Sequence, residues 1–118
     1  MNYRSRRLLD LAQGKDCLLQ IPNVCTNDTS TTVAAHSNEL KHGKGRSIKA
    51  HDYFTVCACH ACHSWLDQGP APRAEKRDAF AAGWSRQYQE WLRLYADTTT
   101  PPKEREAIMH ALKAMEAI

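Results

Sequence analysis

No stretch of the chain approaches the ~20 consecutive apolar residues that a helix needs to cross a bilayer. The basic start MNYRSRRLLDLAQG has no apolar run long enough for a secretory signal. Internal repeats and long low-complexity tracts are also missing, which sets aside solenoid and repeat-array architectures. Neither charge sign dominates: sixteen Lys and Arg stand against thirteen Asp and Glu, for a formal net charge of +3. That mild basicity fits a polyanion partner without requiring one. With 118 residues the chain has the length of one small domain, whose modest core would gain from a metal staple. Its five cysteines cannot all pair with one another. Lacking a signal or a span, the chain is expected to be cytoplasmic with no membrane partner, where thiols stay reduced and spaced cysteine pairs favour metal over disulfide.

What is present is organised as a helix, a cysteine-flanked β-rich middle and two further helices. Residues 4–12 read as a short basic helix or arm ended by Gly14. CLLQIPNVC reads as an extended segment turning at Pro22-Asn23. A strand over 33–38 carries His36, and a second over 53–58 follows a flexible basic loop, KHGKGRSIKAHD. That loop holds Lys41, Lys44, Arg46 and Lys49, together with His42 and His51. A helix over 61–68 is stopped by Gly69-Pro70. From about Arg73 to Ala96, Phe80, Trp84, Tyr88, Trp91 and Tyr95 recur at helical spacing and mark a packing stripe. Thr100 is the expected N-cap of the last helix, with prolines in its first turn. The fold class is α+β. Residues 1–70 form the expected core unit, and 71–118 a helical extension packed on it or on a partner subunit, which allows a homodimer through the C-terminal helices.

The chemistry concentrates in CACHACHSWLD, residues 57–67. Cys59 and Cys62 form a C-x-x-C pair, whose turn sets two sulfurs on one edge of a metal. Cys17 and Cys25 are separated by seven residues around the Pro22-Asn23 turn, and the four thiols together suit a structural zinc ion. The bland alternative is four buried apolar cysteines without metal. Cys57 is then spare, and His60 a competing ligand left outside a closed four-sulfur shell. His63 and Asp67 stand at i and i+4 on one helix face. An imidazole and a carboxylate so placed suit a second, divalent cation such as Mg or Mn, or else form an exposed ion pair. His36, on the preceding strand, could face that pair and deprotonate water, or simply bond to backbone.

Cys17-x7-Cys25, AAH at 34–36, Asp52, Cys59-x-x-Cys62-His63 and Asp67 together resemble the HNH, or ββα-metal, endonucleases. More narrowly, residues 4–69 look like the small phage and prophage nuclease-domain proteins of the YbcO type. The resemblance implies a zinc-stapled ββα core and metal-dependent cleavage of DNA phosphodiesters in a bacterial host. It matches His36 to the general base, His63 to the metal-binding histidine and Asp67 to a further helical ligand. Asp52 falls near the residue that orders the loop and the base. The chain departs from the family where Ala35 replaces a metal-binding side chain, and Asp52 or Asn38, or water and phosphate, would have to supply that oxygen. Lys41, Lys44, Arg46 and Lys49 on the loop, with Arg4, Arg6 and Arg7 on the first helix, are the candidate phosphate contacts. Two other readings use the same residues. One is a zinc-stabilised DNA-binding module without catalysis, and the other is an interaction protein built on the C-terminal helices.

Overall fold

The computed structural model describes residues 2–118 and orders them as α1 (Arg6–Asp10), β1 (Val33–His36), β2 (Thr55–Ala58), α2 (His60–Gln68), α3 (Arg73–Ala96) and α4 (Pro102–Glu116). Short 3-10 turns sit at Thr29–Thr31 and Leu40–His42. The fold is a small α+β arrangement in which strand, strand and helix follow in the expected order. β1 and β2 pair antiparallel in the register Val33↔Ala58, Ala34↔Cys57, Ala35↔Val56 and His36↔Thr55. No helix among the described residues is long and apolar enough to cross a membrane.

Both strands are shorter than their β-rich composition suggests, for local reasons. After His36 the Ser37 hydroxyl bonds to the His42 ring at 2.6 Å and accepts the Glu39 N–H at 3.1 Å, which turns the chain out of the ladder. Before Thr55, the Phe54 N–H bonds to the His51 carbonyl at 2.8 Å and the Thr55 hydroxyl to the Asp52 carbonyl at 2.8 Å, so residues 51–54 form a turn. At the last helix the expectation for Thr100 fails. The cap is Pro101 and the helix begins at Pro102. A residue before proline is pushed to extended backbone, so the Pro101-Pro102 pair delays the start past Thr100.

α3 lies across β2 along a seam of Phe80, Gly83, Gln87 and Trp91, the helix's buried residues. Trp84 and Tyr88 are half-buried beside it, and Tyr95 is exposed under the Arg105 guanidinium, 5.1 Å from its ring centre. The seam therefore differs from the aromatic stripe by admitting Gly83 and Gln87. A Cβ on Gly83 would stand 3.1 Å from both Leu19 and Val56, so glycine here sets how closely the helix approaches. Gln87 is buried because its side-chain carbonyl accepts the Cys57 N–H at 2.8 Å, and the Cys57 carbonyl accepts the Leu18 N–H at 2.7 Å. The outer edge of β2 is thus paired, as a buried backbone edge must be.

Two apolar clusters result. One gathers Leu19, Ile21, Ala35, Val56, Leu66 and Phe80 around the cysteines. The other gathers Leu8 of α1, Trp91 of α3 and Ile108, Ala111, Leu112 and Met115 of α4. The apolar face of α4 is consequently buried within the chain. Trp84 touches both clusters and donates its indole N–H to the Tyr53 carbonyl at 2.8 Å.

Candidate functional site

The four-cysteine site forms where the 17–25 loop meets the β2–α2 junction. The Val24 and Cys25 N–H groups bond to the Ile21 carbonyl at 3.1 and 2.9 Å, closing the Pro22-Asn23 turn, with Asn23 at φ 64°. The Asn27 side chain accepts the Cys17 N–H at 2.8 Å. These bonds bring Cys17 and Cys25 to Cys59 and Cys62, and all four sulfurs lie within 4.8 Å of one another. The Cys25 and Cys59 sulfurs are 4.0 Å apart. Ligands at ~2.3 Å around a tetrahedral ion stand about 3.8 Å apart, so the cluster can hold a metal ion with little movement. Burial opposes ionisation of Cys59, yet the Cys62 and Thr26 backbone N–H groups bring its pKa down to about 6. The Ile21 N–H reaches the Cys62 sulfur at 3.4 Å. Burial nevertheless pushes Cys62 and Cys25 up. Four thiolates packed together repel unless a cation compensates them. Cys57 stays outside the cluster, and burial raises its pKa to about 11. His60 is exposed, bonded through its backbone N–H to the Thr31 hydroxyl at 3.0 Å.

An open cleft of about 420 Å³ is lined by His36, Asn38, Lys44, Lys49, His63 and Asp67, with Arg6, Asp10 and Gln13 from the first helix and the residues after it. His63 Nε2 lies 3.1 Å from Asp67 Oδ2, and Asn38 donates to the other Asp67 oxygen at 2.8 Å. Asp67 raises the His63 pKa and His63 lowers that of Asp67, each chiefly through their hydrogen bond. Two donor atoms this close, half-exposed to a cleft, can share one cation. Among the described residues no third His, Cys, Asp or Glu joins them at ligand distance. Ala35, fully buried in the core, adds nothing.

His36 is held from below. Its Nε2 lies 2.8 Å from Asp52 Oδ1, and its side chain is 14% exposed while that of Asp52 is 2% exposed. Asp52 also accepts the Ser5 N–H at 2.6 Å and an Arg4 N–H at 3.1 Å. An ionised carboxylate only accepts, so Nε2 carries the proton and Nδ1 is left with a free lone pair. Among the described residues Nδ1 has no hydrogen-bond partner. Burial lowers the His36 pKa against the opposing pull of Asp52, which keeps the ring neutral at neutral pH. Of the two side chains considered for the missing metal oxygen, Asn38 stands at the His63–Asp67 pair. Asp52 is taken up by its three donors.

The basic residues separate. Arg6, Lys44 and Lys49 rim the cleft, whereas Lys41 and Arg46 are exposed away from its lining. Arg7 lines a separate pocket together with Glu104 of α4. Arg4 bonds to the Lys49 and Ala50 carbonyls as well as to Asp52. His42 and His51 leave the basic set altogether. His42 stacks on Phe54 with ring centres 3.9 Å apart, and His51 stacks on Tyr53 while accepting the Tyr3 N–H at 2.9 Å. The loop is also more built than an open basic loop, with a 3-10 turn and a Gly45↔Ile48 bridge. Sequence reasoning missed Asn38 as a partner of Asp67 and Ser5 as a partner of Asp52, because neither contact leaves a local spacing signal.

A family model described as "Putative nuclease YbcO" matches residues 6–95, most of the chain and all of the site apart from Arg4 and Ser5. The chain belongs to the YbcO family. It is 37% identical over 57 residues to the "Putative nuclease YbcO" of Escherichia coli (strain K12), covering 48% of this chain and 58% of that protein. The same figures hold for the "Putative nuclease ybcO" of Enterobacteria phage 82. The chain thus spans under two thirds of the length of these YbcO relatives. A solved structure titled "Structure of a putative bacteriophage protein from Escherichia coli str. K-12 substr. MG1655" is similar with a TM-score of 0.54 at 27% identity. That similarity covers 70% of this chain and 93% of that one.

Proposed function

We propose that the chain is a metal-dependent DNA endonuclease of the HNH type, acting in phage DNA recombination or processing. The observation that carries this reading is the pairing of a buried His36–Asp52 dyad with a His63–Asp67 pair on the wall of one basic cleft. The printed name of the family and its phage-encoded relative support it. The cysteine cluster is the structural zinc site, which fixes the start of α2.

In the reaction His36 accepts the proton of a water molecule at Nδ1, and Asp52 steadies the imidazolium that forms. His63 and Asp67 would hold a divalent cation such as Mg or Mn, which when bound stabilises charge on the phosphate and its departing oxygen. Asn38 keeps Asp67 turned toward His63. Arg6, Lys44 and Lys49 bind phosphates along the cleft, giving affinity without reading sequence.

The test is nicking of supercoiled plasmid, and of linear and branched DNA, with Mg or Mn. His36→Ala should abolish cutting and leave DNA binding unchanged. A wild-type chain that binds DNA but cuts none of these substrates would make it a zinc-stabilised binding module instead.

A further inference from the structure

Residues 2–5 lie ahead of the span matched by the family, yet they bond tightly along residues 49–52. The Asn2 side chain donates to the Gly43 and Lys49 carbonyls at 2.7 and 2.9 Å. The Tyr3 N–H reaches the His51 ring at 2.9 Å, and its carbonyl accepts the Asp52 N–H at 3.0 Å. Arg4 donates to the Ala50 and Lys49 carbonyls at 2.5 and 2.6 Å. Gly43, at φ 95°, makes room, because a Cβ there would stand 2.8 Å from the Asn2 amide.

We propose that this N-terminal strap positions the base, with Arg4 and Ser5 holding the Asp52 carboxylate where it fixes the His36 ring. The proposal rests on His36 being the base. A carboxylate turns easily about its last torsion. Here the Ser5 N–H anchors Oδ2, which leaves Oδ1 aimed at His36 Nε2. Arg4 has a second effect. The Asp52 charge is almost wholly buried, and a buried charge needs a compensating partner. With Arg4 in place that partner is a guanidinium, and His36 can stay neutral. Without it the imidazole becomes the only cation touching the carboxylate and is drawn toward the protonated form, which cannot act as a base. Lys49 and Arg4 both repel a proton from His36. The other charged or titratable side chains lining the cleft are Arg6, Asp10, Lys44, His63 and Asp67, and the strap substitutions leave all of them in place.

The test compares Arg4→Ala, Arg4→Lys and Asn2→Ala with wild type in the full chain. It reads the side-chain nitrogen NMR shifts of His36 across pH, and the kcat, KM and pH profile of plasmid cleavage. In wild type His36 should be neutral at neutral pH with its proton on Nε2. Arg4→Ala should move the His36 titration and the acid limb of the rate profile to higher pH, and lower kcat roughly 10- to 100-fold with KM little changed. Arg4→Lys should restore most of the shift. Asn2→Ala, which touches neither Asp52 nor His36, should give a smaller change in the same direction. A folded Arg4→Ala chain with the wild-type His36 titration and kcat overturns the proposal and leaves the nuclease reading standing. If wild type does not cut, that reading falls, and the His36 titration still decides whether the strap governs the ring. If Arg4→Ala does not fold, Asn2→Ala decides on the same two readouts.

Discussion

Removing the zinc proposed for the four-cysteine site should unfold much of the chain, and the scale of the effect follows from where the sulfurs sit. All four are within 4.8 Å of one another, and closing on a tetrahedral ion with ~2.3 Å bonds asks each pair to move by no more than about 1 Å. Structural zinc sites of this kind bind with apparent free energies of about 10–16 kcal/mol. The whole stability of a domain is about 5–15 kcal/mol. Cys17, Cys59 and Cys62 belong to the same buried cluster as Leu19, Ile21, Val56 and Phe80, so loss of the ion would remove the cross-link that ties the 17–25 loop to the start of α2 inside the core. Cys59→Ser should therefore lose the metal and the cooperative thermal transition. Cys57→Ala removes a sulfur that is also buried but lies outside the cluster. It should keep the metal and cost about 1 kcal/mol, or roughly 4 °C in Tm. Elemental analysis of purified chains and thermal melting followed by circular dichroism, with and without chelator, give both quantities. A wild-type chain whose Tm ignores excess chelator would refute the reasoning, as would a Cys57→Ala chain that loses the metal along with Cys59→Ser.

The dyad and the cleft make three further predictions. Asp52→Asn presents an amide N–H to His36 and forces the proton onto Nδ1. Cleavage should fall by about 10³–10⁴, and weakened bonds to Ser5 and Arg4 should cost about 2–4 kcal/mol in a denaturant titration. His63→Ala or Asp67→Ala should abolish cutting while changing stability by less than about 1 kcal/mol, because the two side chains are 37% and 39% exposed. A large loss of Tm would instead make the pair structural. The rate should be flat at neutral pH and drop about tenfold per unit once His36 protonates below the ordinary histidine value of ~6.5. The unfolded chain takes that proton at higher pH than the folded one, so the His36 contribution makes stability rise with pH through the same window. A rate that climbs as pH falls would contradict both statements.

Much of this was legible in the chain because it is local. The C-x-x-C turn, the i, i+4 spacing of His63 and Asp67, and the bounds of α3 each follow from a few neighbouring residues. The shift of the α3 seam onto Gly83 and Gln87 was not legible, because the need for a small residue comes from Leu19 and Val56, far away in sequence. His42 and His51 looked basic because loop composition counts rings as charges, whereas stacking on Phe54 and Tyr53 recruits them as flat apolar surfaces. The bond between Arg4 and Asp52 was hidden by distance along the chain. An arginine grouped with Arg6 and Arg7 near the start of the chain looks like a phosphate contact, and its 48-residue separation from Asp52 leaves no trace in the pattern.

α2 serves two masters: Cys59 and Cys62 belong to the sulfur cluster, and the very next residue, His63, begins the cleft wall. His36 and Asp52 are tied instead to β1 and the N-terminal arm. Oxidation of the sulfurs by peroxide would therefore disturb one wall of the cleft while leaving the bonds of the other intact. On the proposed reading, cutting would stop before any residue of the cleft was itself modified.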